Sequence, residues 1–141
     1  MTNSIETISL AEARAVIDIC ERKALDIKQP MNVAVVDAGG NLVAHIRMDD
    51  AWLGSIDISI NKAFTARCFD ITTEALGKES QPGKQFYGIH ASNHGRIMLF
   101  GGGLPLLKDG KVVGAVGVSG GSGEQDCSVA EAGKKFFENT R

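Results

Sequence analysis

Apolar residues recur along this chain with two different periods. From Leu10 they fall at Ala13, Val16 and Ile17, Cys20, Ala24 and Leu25, which is one stripe of a helix. Ser9 and Glu12 have the spacing of a capping box, and Pro30 bars continuation. This pattern predicts a core helix over residues 10–28. From Asn32 the period changes to two. Asn32–Asp37 reads as a strand, Ala38 to Asn41 as a glycine turn, and Leu42–Met48 as the return strand. On the return strand Leu42, Ala44, Ile46 and Met48 share a face assigned to the core. Val43, His45 and Arg47 share the other.

A helical period resumes at Gly54-Ser55. Ile56, Ile60, Ala63, Phe64 and Arg67 form its stripe, and Lys62 lies at the border of that stripe. Ile71 to Leu76 extends the helix or restarts it from Thr72 or Thr73. Residues 77–83 read as a loop, Lys84–Ile89 as a short helix and Arg96–Phe100 as a strand. After Gly101 to Gly103, Asp109-Gly110 between apolar runs predicts a hairpin over residues 104–119. In its second strand Val112, Gly114, Val116 and Val118 alternate with Val113, Ala115, Gly117 and Ser119, giving one bulky and one small face. A last helix over residues 123–139 opens at Ser122 and Gln125, another capping-box spacing. It buries Val129, Ala130, Gly133, Phe136 and Phe137.

The elements add up to an α/β (α+β) fold. An antiparallel sheet carries the hairpins 32–48 and 104–119, and long helices stand apart from them, which argues against alternating βαβ units. At 141 residues the chain is expected to be one domain, residues 1–141. A formal net charge of −2 gives no basic surface for nucleic acid. No apolar run could span a bilayer, and the first residues lack a basic start and an apolar stretch. A cytoplasmic protein is therefore expected. Cys20, Cys68 and Cys127 form no C-x-x-C, so reduced thiols with packing roles are expected.

Candidate chemistry gathers at Gly120, Gly121 and Gly123, followed by Glu124 and Asp126. The plain reading is a helix entry whose acids suit the dipole. The sharper reading is a loop facing a ligand. It is not a phosphate loop, because no Gly-Lys-Ser/Thr follows. Arg47 suits a carboxylate, and a lone lysine such as Lys62 is ordinarily solvated. His90 and His94 stand four apart, but Gly88, Asn93 and Gly95 argue against the helix a metal pair would need, and no acid completes a zinc motif.

Several stretches together carry a resemblance. The residues FGGGLPL and GAVGVSGGSGEQD, with VAVVDAGGNLVAHIRMDDA, SIDISINKAFTA and QPGKQFYGIHASN, are similar in order to the GlcG/HbpS-like haem-binding family. That family also forms the C-terminal half of PduO-type corrinoid adenosyltransferases. The resemblance implies a profilin-like antiparallel sheet of about five strands flanked by helices, a homo-oligomer, and members that bind haem. It raises the standing of Lys62, within NKAFTA, and of Arg47, within Arg47-Met48-Asp49, as residues for a carboxylate such as a haem propionate.

Two functions follow, beside the third possibility of a purely structural or regulatory partner of another enzyme. The first is a protein that binds a small molecule, haem or a related tetrapyrrole. The second is an enzyme acting on a small organic acid by proton transfer or hydrolysis. The expected ligand pocket lies where Gly120, Gly121 and Gly123 approach Lys62 and Arg47. There Glu124 and Asp126 orient the cations or accept ligand protons.

Overall fold

Ser9 opens the first helix, α1 (Leu10–Asp26), with both bonds of the capping box: Glu12 N donates to Ser9 Oγ at 3.1 Å, and Ser9 N donates to Glu12 Oε1 at 3.0 Å. The computed structural model describes residues 1–140. After α1 come β1 (Asn32–Asp37), β2 (Leu42–Arg47), α2 (Gly54–Phe69) and the short α3 (Thr73–Lys78). Single 3-10 turns at Ile89–Ala91 and Asn93–Gly95 follow, then β3 (Gly103–Lys108), β4 (Lys111–Ser119) and α4 (Gly123–Asn139). Among the described residues no helix is long and apolar enough to cross a membrane.

The sheet has four strands in the order β2-β1-β4-β3, and every neighbouring pair is antiparallel. The two hairpins thus meet through β1 and β4 at the centre. The expectation of about five strands is corrected here. Residues 96–100 pair with no strand. Their backbone meets a helix side chain instead: Met98 N donates to Thr65 Oγ1 at 2.9 Å, and the single hydrogen of that hydroxyl has Asn61 O at 2.8 Å and Arg96 O at 3.2 Å as acceptors. The short helix expected at 84–89 is also absent, and turns occupy the segment.

One face of the sheet carries α1 and α4 over a bulky core in which Val16, Val33, Val35, Leu106, Val116, Val118 and Val129 are buried. The other face packs α2 against a small-residue surface built from Val36, Ala63, Ala66 and Ala115. Gly117 sets the distance, because a Cβ there would overlap the Ser59 carbonyl oxygen and stand 2.5 Å from Ala63 N. Helix and strand touch backbone to backbone at this point. The small face predicted for β4 is therefore the α2 face, with one correction. Pairing passes from Leu106–Gly114 to Leu107–Val112, so Val113 is the extra residue of a bulge and turns to the α1 side.

The close approach also changes which side of α2 is buried. Ser55, Ser59, Asn61, Lys62, Ala63, Thr65 and Ala66 face inward, while Ile56, Ile60 and Phe64 are only half-buried. Small residues fit a sheet this near, and the aliphatic side chains flank the contact.

Candidate functional site

Lys62 leaves α2 toward the end of β4 and is completely buried, with 0% of its side chain exposed. Nζ donates to the Val118 carbonyl and to Asp126 Oδ2, each at 2.9 Å. Asp126 sits in the first turn of α4, and its side chain is 4% exposed. Its other oxygen accepts from Gly121 N at 2.9 Å. Phe100 lies over the amine, 4.8 Å from ring centroid to Nζ. Gly102 packs from below: its φ is +130°, and a Cβ there would stand 2.8 Å from Nζ and overlap the Val118 oxygen. Only glycine serves at this position.

Burial pushes the Lys62 amine below, and the Asp126 carboxyl above, its ordinary pKa, and the attraction between them opposes both shifts. Cys127 adjoins the pair. Its Sγ lies 3.7 Å from Glu74 Oε2, and burial with that carboxylate pushes the thiol up to about 11. A thiol held so high is a poor nucleophile.

The glycine loop, Lys62 and Asp126 of the expected pocket thus come together. The loop's polar groups are used internally: Gly121 N serves Asp126, and Gly120 O accepts from Gln29 Nε2 at 2.8 Å. Gly123 and Glu124 occupy the exposed first turn of α4. Arg47, at the end of β2, makes no ion pair with Asp126; it lines a groove of about 520 Å³ with Lys28, Asp49 and the Gln29 that holds Gly120 O.

A second polar group lies on the α2 face of β1 and β2. Pairing sets Arg47 beside Asn32 and His45 beside Ala34. His45 was visible from its alternation with Arg47. Asn32 became legible only with the register, since an asparagine opening a strand reads as a boundary residue. Burial first, then the Arg47 charge, holds the His45 imidazole below its ordinary range.

Residues 8–135 match the family model described as haem degrading protein HbpS-like. The chain belongs to the HbpS-like family. A Citrobacter freundii relative, an uncharacterized 15.0 kDa protein from the dhaT-dhaS intergenic region, is 48% identical over 96% of both chains. The crystal structure of Klebsiella pneumoniae protein ORFY overlays with a TM-score of 0.96 at 40% identity, covering 99% of this chain and 97% of that one. PduOC, solved in complex with haem, overlays with a TM-score of 0.89 at 33% identity, covering 94% and 96%.

The three histidines of this HbpS-like chain differ sharply in access. His45 Nε2 is covered and makes no hydrogen bond. His90 and His94 are exposed on the two 3-10 turns, and His94 has a positive φ of 57°. The Tyr87 ring meets His90 edge-on at 6.1 Å, and Phe86 is exposed beside it in sequence. Among the described residues no three His, Cys, Asp or Glu side chains gather as a metal cluster.

Proposed function

We propose that this chain binds haem or a related tetrapyrrole at its surface, through the segment 84–96. The likeness to PduOC, a relative solved with haem, carries the proposal. A haem needs an axial donor with a free lone pair, apolar surface for the macrocycle and cations for the propionates. Residues of the segment fit that donor set. His90 and His94 offer exposed imidazoles, Phe86 and Tyr87 offer exposed rings, and Lys84 is an exposed cation. No acidic residue lies between Gln81 and Phe100 to repel a propionate. When bound, the iron would supply redox and ligand-exchange chemistry; the chain would supply the imidazole and the apolar surface. His45 is set aside as an iron ligand because its free nitrogen lies under neighbouring atoms, where a macrocycle cannot reach it.

Lys62 and Asp126 take a different role in this reading. Lys62 is closed to solvent and donates to Asp126 and to the Val118 carbonyl, so the pair ties α2 to the start of α4 rather than meeting an outside carboxylate. Titration of the purified protein with hemin tests the function. A saturable Soret shift at fixed stoichiometry is expected; a featureless rise without saturation would remove the proposal.

A further inference from the structure

One end of the sheet's α2 face holds two buried polar atoms without partners. Arg47, Asn32 and Ser119 form a row across β2, β1 and β4, and His45 lies two residues inward from Arg47 on the same face. Ser119 is satisfied, donating to Ser55 Oγ at 3.0 Å. Asn32 is fully buried, at 0% exposure, and its Nδ2 donates to the Trp52 carbonyl at 3.1 Å. That carbonyl lies just ahead of α2. The Asn32 Oδ1 has no partner, and neither has His45 Nε2. Folded proteins satisfy nearly all such atoms.

Around them the electrostatics favour an anion. Among the described residues Arg47 makes no ion pair, yet its charge reaches His45. Helix α2 begins with no side-chain cap, but its start is served internally: Ser55 N donates to the Trp52 carbonyl at 3.2 Å, Ile56 N to the Leu53 carbonyl at 3.1 Å, and Asp57 stands in its first turn. The unpaired guanidinium asks for a carboxylate. The Asn32 oxygen asks for something else, a hydrogen-bond donor.

We propose that Arg47, Asn32 and His45 form a binding site for a small carboxylate that also carries a hydroxyl or amine donor. The carboxylate faces Arg47; the donor satisfies Asn32 Oδ1; His45 Nε2 completes the network. The site shares no residue with the haem-binding segment, and either can be tested with the other absent.

Trp52 supplies the readout. It is the single tryptophan of the chain, its carbonyl is held by Asn32, and it is 61% exposed. Haem-free protein is titrated with lactate and with propionate, which lacks the hydroxyl, while Trp52 emission is followed. A saturable response is expected, tighter for lactate. Arg47→Gln, at an exposed position, should weaken lactate binding about tenfold or more. His45→Gln is followed in parallel by saturation-transfer NMR on the ligand, and weaker transfer is expected. The absence of a saturable response to either acid would overturn the proposal and leave the two atoms to bound water. Propionate binding as tightly as lactate, or unchanged affinity in Arg47→Gln, would overturn it equally.

Discussion

Lys62 is a residue that general rules place in solvent, and it is the largest fully buried side chain of the chain. Its burial is tolerable because each charge has a partner and Asp126 has a second donor in Gly121 N. Removing one partner strands the other. Lys62→Met should cost about 3–5 kcal/mol in denaturant unfolding, while Lys62→Met with Asp126→Leu should recover much of that loss. A single variant as stable as the parent would contradict the pairing. His45 yields a pH prediction. Its folded pKa lies below the ordinary value of 6.5. Above that pH the imidazole is neutral in both states. As the pH falls through it, the unfolded chain takes up the proton first and stability declines until the folded form also protonates. His45→Gln should flatten this acid limb in thermal unfolding measured from pH 7 downward; an unchanged limb would assign it to other groups.

Helix α2 and strand β4 are fitted to each other through small residues. Gly117→Ala would drive a methyl into the Ser59 carbonyl and force the helix off the sheet, at a cost of about 1–3 kcal/mol or more in urea unfolding. Ala115→Gly is the comparison, since it only removes a methyl; a Gly117→Ala protein that unfolds no earlier than this variant would deny the close approach. The same contact shows where the sequence was legible. Both hairpins, α1, α2 and α4 could be read because alternation, Asp109-Gly110 and the Ser9 and Ser122 capping boxes act locally. The buried side of α2 could not, because Gly117 makes small residues the interior ones, and an apolar stripe points to Ile56 and Ile60 instead. Residues 96–100 look like a strand by composition, but Met98 N donates to the Thr65 hydroxyl of α2 rather than to a strand. The Lys62 and Asp126 segments were singled out, yet their contact is 64 residues long-range and no spacing rule reaches it. The placing of Arg47 beside the buried Asn32 likewise depends on register rather than on local pattern.

Over the whole molecule, large apolar side chains remain exposed: Leu42 on the edge strand, Trp52 and Leu53 before α2, and Phe86, Tyr87 and Phe100 in and beyond the turn segment. Surfaces of this kind are usually covered by another chain. We expect a homo-oligomer, seen in light scattering as a multiple of 14.9 kDa; a monomer mass at working concentration would contradict it. The function belongs to this scale too, since the segment bearing His90 and His94 is exposed and held mainly by short-range backbone bonds. The most direct measurement is hemin titration of the parent, of His90→Ala with His94→Ala, and of His45→Ala, each followed at the Soret band. We predict saturable binding in the parent and in His45→Ala, and loss of the low-spin Soret shift in the double variant with its fold intact by circular dichroism. An undiminished shift in the folded double variant, or its loss in His45→Ala, would contradict the surface site.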